Sequence, residues 1–202
     1  MIAAILIAAG ESRRMGRTKQ LLPWKGKVLL QHALDAISGS GVEEVILVLG
    51  CEADRILKEV DTRKVKVVIN PDYAQGMITS IQRGLKALSR NAAAFFIVLG
   101  DQPGIGSQIY NRLIEEFHRA YPSKKILLPT YQGQRGHPAL FSIDYREEGS
   151  ALKGEGGFRQ IILDHPHDVR LIEMGTRDVL EDIDTPEDYA NLLKGKSRGG
   201  PV

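Results

Sequence analysis

The stretch that decides the fold is Ile2–Gly10, with the sequence IAAILIAAG, at the start of the chain. Its unbroken apolar run, Ile2–Ala8, predicts a strand that is covered on both faces. Similar runs, most of them rich in Ile and Val, recur along the chain at Val45–Leu49, Val65–Ile69, Phe95–Leu99 and Ile126–Leu128. Their spacing leaves room for a helix between most successive strands.

Apolar residues at helical spacing fill those gaps, at Leu29–Ile37, Ile56–Val60, Ile78–Leu88 and Ile109–Phe117. This alternation favours right-handed βαβ crossovers, and hence an α/β fold with a Rossmann-like, doubly wound, mostly parallel sheet and helices on both faces. After Pro129 the pattern predicts a strand near Ala139–Phe141, a helix near Phe158–Leu163, a strand at Val169–Ile172 and a last helix after Pro186. We expect this region to extend one edge of the same sheet.

Composition sets the size of the core and the kind of partner. With 202 residues, of which 43% are hydrophobic, we expect one domain over 1–194 and a flexible tail over 195–202. The formal net charge of +2 provides no strong field, which argues against nucleic acid or a membrane as partner. Cys51 is the single cysteine, which fits a reducing cytoplasm. The apolar start lacks the basic segment of a signal peptide and is too short to cross a bilayer.

The connection after the first strand is unusually long, since helical spacing resumes only near Val28. It carries Arg13, Arg14 and Lys19, and its glycines allow backbone N–H groups to approach an anion closely. This composition predicts a cradle for a triphosphate. The alternative is a basic loop that serves only solubility.

Two common phosphate-binding loops do not match this connection. A Walker A loop has four residues between its glycines and then Lys-Ser or Lys-Thr, whereas five residues separate Gly10 from Gly16 here. A dinucleotide fingerprint has G-x-G-x-x-G spacing, which the residues after Gly10 lack. The mismatch disfavours a dehydrogenase.

A candidate metal ligand, Asp101, follows the apolar run Phe95–Leu99. Ligands of open α/β sheets gather at the carboxyl ends of the strands, so Asp101 is expected near the basic loop. Magnesium is commonly held by one or two carboxylates together with substrate phosphates. The alternative is an aspartate that stabilises a turn before Pro103.

A second acidic segment, Glu181–Asp188, precedes the last predicted helix. Thr185 and Pro186 are a strong helix start, with Thr185 as the N-cap. Asp184 is a candidate second metal carboxylate if this loop returns to the phosphates. Acids near a helix start also serve as partners of the helix dipole, and that alternative stays open.

Three glycine-containing segments are weaker candidates. Gly76 opens a predicted helix with Ser80 as a polar group beside it, and could support a base or a ribose. The turn at 133–138 contains His137, and a glycine-rich segment occupies 154–157. Glycines serve ordinary turns more often than ligands. The paired histidines His165 and His167 do not have the spacing of a zinc site.

The motifs together resemble a known family. The sequence AAGESRRMG at Ala8–Gly16, followed by Lys19, is similar to the signature of nucleotidyltransferases that include the molybdenum cofactor guanylyl- and cytidylyltransferases and sugar-phosphate nucleotidyltransferases. Further similar segments follow in order along nearly the whole chain: NP at 70–71, GM at 76–77 with Ser80, GDQP at 100–103, RGHP at 135–138, the glycines of 154–157 and DIDTPED at 182–188. The set is most similar to the cytidylyltransferase branch.

The resemblance implies a role for each matching position. Ala8, Ala9 and Gly10 would contact the nucleotide through the backbone, Arg14 and Lys19 its phosphates, and Gly76 and Ser80 its base and ribose side. Asp101 and Asp184 would hold Mg²⁺, and His137 would lie near the acceptor. Arg14, Lys19 and Asp101 would be the catalytic residues.

The implied activity is Mg²⁺-dependent transfer of a nucleotidyl group, CMP from CTP, to a phosphorylated acceptor, the molybdopterin cofactor, with release of pyrophosphate. A molybdoenzyme that receives the product is the implied protein partner. Two alternatives stay open at this point: a nucleotidyltransferase for sugar or polyol phosphates, and a nucleotide-binding partner that inserts a cofactor without catalysis.

Overall fold

The computed structural model describes residues 1–154 and 156–195. Ten strands occur in them: β1 Ile2–Ala8, β2 Pro23–Trp24, β3 Lys27–Val28, β4 Glu44–Leu49, β5 Lys66–Ile69, β6 Ala94–Leu99, β7 Ile126–Tyr131, β8 Gln134–Arg135, β9 Ala139–Ser142 and β10 Val169–Glu173. The α-helices are α1 Leu29–Ser38, α2 Ala53–Glu59, α3 Met77–Ala87, α4 Ser107–Ala120, α5 Arg146–Ala151, α6 Phe158–Asp164 and α7 Pro186–Leu193. The tail predicted from residue 195 onward lies, beyond Gly195, outside the described residues.

One sheet organises the molecule, in the order β10-β7-β9-β6-β1-β4-β5, with β8 paired to β7. The pairs β1·β4, β1·β6, β4·β5 and β10·β7 are parallel. Helices cover both faces of this sheet. The predicted fold class is therefore confirmed.

The first strand lies inside the sheet, between β6 and β4, and is covered on both faces, as its continuous apolar run predicts. Leu6 packs into the core on one face, with α1 and α4, and Ile5 into the core on the other face, with α3. Both side chains are fully buried. Helix α3 approaches β1 so closely that a Cβ on Gly84 would lie 2.2 Å from Cγ2 of Ile5.

The region after Pro129 adds β9 and β10 to one side of the same sheet, as predicted, but β9 is reversed. β9 lies between β6 and β7 and is antiparallel to both. The chain turns back at Gln132 and Gly133, whose φ values of 50° and 78° are those of a tight hairpin turn. The sequence patterns do not predict α5 or the small β2–β3 hairpin, because both are too short to show a period.

Candidate active site

The loop after β1 is folded back on itself by one serine and one buried glutamine. The Ser12 hydroxyl accepts the backbone N–H of Lys19 at 3.1 Å. The Gln20 amide, in a residue only 3% exposed, points at the carbonyl oxygens of Ala8 and Gly10, 3.4 and 3.5 Å away. These contacts bring Lys19 over the end of β1. Sequence reasoning missed Gln20, because a glutamine beside a basic loop carries no pattern that distinguishes it from a solvated one.

Lys19 joins the two predicted metal carboxylates. Its Nζ lies 2.5 Å from Oδ2 of Asp101 and 2.8 Å from Oδ1 of Asp184, residues that are far apart in the chain. Arg14 reaches the other oxygen of Asp184 at 2.6 Å. We call Lys19, Asp101 and Asp184 the ion triad. The structure thus brings together the four charged residues for which the resemblance implies phosphate or metal contacts, whereas Arg13 of the same loop pairs with Glu11.

The triad is shielded from water, whereas Arg14 is not. The side chains of Lys19, Asp101 and Asp184 are 15%, 16% and 20% exposed, and that of Arg14 is 71% exposed. Burial lowers the pKa of Lys19, but the two carboxylates outweigh it and the net pKa is raised. Burial raises the pKa of Asp184, but the positive charges of Lys19 and Arg14 outweigh burial, so the net pKa of Asp184 is lowered. The ion pairs therefore favour the charged forms of Lys19 and Asp184.

The donors of the triad fit a hard divalent cation. Oδ1 of Asp101 is buried and has no hydrogen-bond partner among the described residues. A buried oxygen without a hydrogen-bond partner lowers the stability of the fold, and a bound cation would offset that cost. Within residues 1–154 and 156–195, no three His, Cys, Asp or Glu side chains converge as a metal site. A metal at Asp101 and Asp184 would thus complete its coordination with substrate phosphates and water, as magnesium commonly does.

Two backbone hydrogen bonds hold the late acidic loop against the sheet. The N–H of Ile183 donates to the carbonyl oxygen of Asp101 at 2.9 Å, which places Asp184 beside Asp101. The N–H of His137 donates to the carbonyl oxygen of Val179 at 2.9 Å. Gly136 permits this approach, because a Cβ there would lie 2.1 Å from the same oxygen.

The helix start after Asp184 forms as predicted. The Thr185 hydroxyl accepts the N–H of Asp188 at 3.2 Å, and the Asp188 carboxylate accepts the N–H of Thr185 at 2.7 Å. This is a complete capping box with Pro186 in the first turn. The Asp188 carboxylate also accepts the N–H of Asp184 at 3.1 Å, so the cap fixes the backbone of the candidate metal ligand.

A small cavity of about 200 Å³ opens beside the triad, and we call it the nucleotide cavity. Its lining includes the predicted metal ligand Asp101 and five of the seven residues predicted to contact nucleotide: Ala8, Ala9, Gly10, Lys19 and Ser80. Ser80 is 2% exposed and its hydroxyl accepts a hydrogen bond from Nδ2 of the buried Asn70 at 2.9 Å. Tyr73 also lines this cavity. It packs so closely against Gly50 that a Cβ added to Gly50 would lie 2.7 Å from Cβ of Tyr73. Sequence reasoning missed Tyr73.

A larger cavity of about 810 Å³ adjoins the first, and we call it the outer cavity. Met77 and Leu99 line both cavities. Gly76 and His137 line the outer cavity only, and Arg14 lines neither cavity. Burial lowers the pKa of His137, against a smaller opposing effect of Asp101, so its ring is neutral at pH 7.

A doubly wound sheet, a basic loop at the end of its first strand and a lysine held between two aspartates define the class of this protein. It is an enzyme of the nucleotidyltransferase type. The chain belongs to the family of the MobA-like NTP transferase domain, whose model matches residues 4–169. Among the residues described, no helix has both the length and the apolar character needed to span a bilayer.

The chain is similar along most of its length to proteins that carry names of different activities. The chain is 30% identical to nicotine blue oxidoreductase of Paenarthrobacter nicotinovorans, over 95% of this chain and 96% of that protein. It is 29% identical to molybdenum cofactor cytidylyltransferase of Escherichia coli, over 93% of each. The crystal structure of Rv0371c from Mycobacterium tuberculosis superposes with a TM-score of 0.86 at 30% identity, covering 96% of this chain and 97% of that one. A structure of the same protein in complex with manganese has a TM-score of 0.81 at 29% identity, covering 96% and 98%.

Proposed function

We propose that this enzyme transfers CMP from CTP to the phosphate of the molybdopterin cofactor, with Mg²⁺ as cofactor and pyrophosphate as the second product. The observation that carries the proposal is the ion triad at the mouth of the nucleotide cavity. Two carboxylates in contact with one ammonium beside this cavity support the binding of a metal–triphosphate complex. The similarity to the Escherichia coli cytidylyltransferase supports the choice of donor and acceptor.

The reaction joins an oxygen of the acceptor phosphate to the α-phosphorus of CTP and breaks the bond between the α-phosphorus and the bridging oxygen of the β-phosphate. A phosphate monoester has a second pKa of about 6, so it is mainly a dianion at pH 7 and needs no general base. The chain must therefore align the two phosphates and balance their charge.

Each charged residue has one task in this scheme. Lys19 and Arg14 leave the carboxylates and bind the triphosphate, where they neutralise the departing pyrophosphate. Asp101 and Asp184 hold Mg²⁺, which supplies Lewis-acid stabilisation of the phosphate charge. The backbone at Ala8–Gly10 and the Ser80 hydroxyl orient the nucleoside. The neutral His137 lies on the acceptor side and donates or accepts a hydrogen bond without adding charge.

The test is pyrophosphate release by the purified chain over a panel of CTP, GTP, UTP and ATP, each with molybdopterin, a hexose phosphate or a polyol phosphate. Release is expected with CTP, molybdopterin and Mg²⁺ together, and is lost on chelation. Release with a sugar or polyol phosphate would instead establish the sugar-phosphate alternative. No release with any pair would overturn the proposed transfer, and retained binding of CTP would then support the alternative of a non-catalytic nucleotide-binding partner.

One further arm covers the relative named as an oxidoreductase. The chain is incubated with reduced nicotinamide cofactors and an oxidised dye, without any triphosphate, and absorbance of the cofactor is followed. No oxidation is expected, because the loop after Gly10 lacks the dinucleotide fingerprint. Turnover in this arm, without pyrophosphate release in the other, would overturn the proposed function.

A further inference from the structure

A buried amide at the end of β5 joins that strand to the start of α3. Asn70 is fully buried, and its backbone N–H donates to the carbonyl oxygen of Leu49 at 2.7 Å. Its side-chain Nδ2 lies 2.9 Å from the hydroxyl oxygen of Thr79 and 2.9 Å from that of Ser80, both in the first turn of α3. Its Oδ1 accepts the backbone N–H of Asp72 at 3.0 Å. Both hydrogens of the amide group thus have a partner.

The N–H of Asp72 fixes the direction in which the Asn70 amide points. A backbone N–H can only donate, so the atom that faces it must be the oxygen Oδ1. In the flipped orientation the NH2 group would face this N–H, and two buried donors would oppose each other without an acceptor. The NH2 group therefore faces the two hydroxyls, and Thr79 and Ser80 both accept a hydrogen bond from Asn70.

The two hydroxyls differ in where their own protons go. The Thr79 hydroxyl has acceptors close by, since the carbonyl oxygen of Gly76 lies 2.9 Å away and that of Asp72 lies 3.1 Å away. In the part of the chain that the structure describes, the Ser80 hydroxyl has no hydrogen bond besides the one from Asn70. Ser80 is 2% exposed and lines the nucleotide cavity, whereas Thr79 does not line it. The proton of Ser80 is thus left for a ligand in that cavity.

Resting on the proposed binding of a nucleotide, we propose that Asn70 is a positioning residue that makes the Ser80 hydroxyl a hydrogen-bond donor to the nucleotide. The amide occupies one lone pair of the Ser80 oxygen, so the hydroxyl proton points away from Asn70 and into the cavity. The nucleotide presents the lone pair of an oxygen or a nitrogen at this point, on its nucleoside or on its phosphates. An N–H group at the same place would face another donor and would bind poorly.

The test is a double-mutant cycle on the affinity for CTP, measured by isothermal titration calorimetry with Mg²⁺ and without an acceptor. Asn70→Asp keeps the size of the side chain and replaces its NH2 group with a carboxylate oxygen, which only accepts. The three donors around it, the N–H of Asp72 and the hydroxyls of Thr79 and Ser80, keep this carboxylate ionised. The Ser80 proton then turns to the carboxylate and is lost to the nucleotide.

The expected result is a loss of CTP affinity that depends on the Ser80 hydroxyl. Asn70→Asp should lower the affinity roughly tenfold more in the wild type than in Ser80→Ala, where no hydroxyl is left to turn. The comparison of the two backgrounds removes any direct repulsion between the new carboxylate and the phosphates, because that repulsion is present in both. Equal losses in the two backgrounds would overturn the inference, and so would the absence of saturable CTP binding to the wild type.

Thr79→Val is the matched control, because Thr79 accepts from the same amide at the same distance and lies outside the nucleotide cavity. Asn70→Asp should lose as much CTP affinity in this background as in the wild type, and a loss that Thr79→Val abolishes would count against the assignment. Inorganic tripolyphosphate, measured in the same cycle, locates the acceptor. A Ser80-dependent loss with tripolyphosphate places the acceptor on the phosphates, and a loss with CTP alone places it on the nucleoside.

A measurement on chains that keep Asn70 covers the case in which Asn70→Asp does not fold. The two Nδ2 protons of Asn70 are followed by nuclear magnetic resonance of the isotope-labelled chain. We expect Ser80→Ala and Thr79→Val each to shift the resonance of a different one of these protons, since each hydroxyl accepts one of them. Resonances in the wild type like those of a solvent-exposed amide would overturn the inference.

These outcomes are independent of the transfer reaction, because no turnover is measured. If the Ser80-dependent loss of CTP affinity is found but no pyrophosphate is released with any acceptor, the proposed function fails and this inference stands. If pyrophosphate is released but Asn70→Asp loses equal CTP affinity in the wild type and in Ser80→Ala, the proposed function stands and this inference fails.

Discussion

The ion triad predicts that Lys19 competes with the metal. Its ammonium lies 2.5 and 2.8 Å from oxygens of Asp101 and Asp184, where a divalent cation would bind. In the absence of nucleotide, a metal must displace this lysine, whereas a triphosphate would draw the lysine away. We therefore expect Lys19→Met to bind Mn²⁺ without nucleotide, and the wild type to bind Mn²⁺ well only together with CTP.

The size of the effect follows from the burial of the triad. Charges about 4 Å apart interact by about 4 kcal/mol at an effective dielectric constant of 20. Removing one partner of a buried pair costs about 3–5 kcal/mol, because the remaining charge is left uncompensated. Since the triad is 15–20% exposed, we expect Lys19→Met to lose about 3 kcal/mol of unfolding free energy without metal. Mn²⁺ at a hundredfold excess over its Kd would restore about 2.7 kcal/mol, or about 5–10 °C in Tm.

Two measurements check this prediction: Mn²⁺ titration followed by electron paramagnetic resonance, and thermal unfolding with and without the metal. Lys27→Met is the matched control. It removes an ion pair of the same length, Lys27 Nζ to Asp35 Oδ2 at 2.5 Å, whose side chains are 55% and 42% exposed. We expect a loss of at most about 1 kcal/mol there and no change in Mn²⁺ binding.

The refuting result is specific. If the wild type without nucleotide binds Mn²⁺ as tightly as Lys19→Met does, the ammonium does not compete for the metal position. If Lys19→Met is neither destabilised without metal nor stabilised by it, the two carboxylates do not form the metal site.

Three further predictions concern catalysis, pH and packing. Asp101→Ala should lower pyrophosphate release at least about a thousandfold while CTP affinity in the absence of metal changes little, since the carboxylate acts on the reacting phosphates only through the metal that it would hold. Normal turnover of this variant with Mg²⁺ present would contradict the assignment of Asp101. The folded-state pKa of His137 is lowered below 6.5, so the unfolded chain binds more protons than the folded chain as the pH falls. The contribution of His137 to stability should therefore be complete above pH 6.5 and be lost as the pH falls through its folded-state pKa. Urea unfolding from pH 7.5 to 5 should show a flatter pH dependence of stability in His137→Gln, and identical profiles would be inconsistent with a buried neutral ring. Gly84→Ala would place a Cβ 2.2 Å from Cγ2 of Ile5. The overpacking should cost about 1–3 kcal/mol of unfolding free energy, which outweighs the gain of about 1 kcal/mol from the higher helix propensity of alanine. A variant that is more stable in urea denaturation would refute the close approach of α3 to β1.

The sequence alone determined the fold class and the approximate place of each strand and helix of ordinary length. These features follow from local patterns: a continuous apolar run at Ile2–Ala8 for a strand covered on both faces, helical spacing for α3, and a Thr-Pro start for α7. It also indicated that Asp101 lies near the basic loop, because the carboxyl ends of parallel strands meet at one edge of a sheet. Each of these inferences depends on neighbouring residues or on a general rule of topology.

Only the tertiary structure decided how these elements combine into a site. It reversed β9, placed Gly76 in the outer cavity, and assigned the buried Gln20 to the base of the loop. Above all, it set Lys19 between two aspartates distant in the chain, through hydrogen bonds such as that of Ile183 N–H to the Asp101 carbonyl oxygen. Such contacts depend on how distant backbone segments meet in the folded chain, and no periodicity or propensity within a short window encodes that meeting.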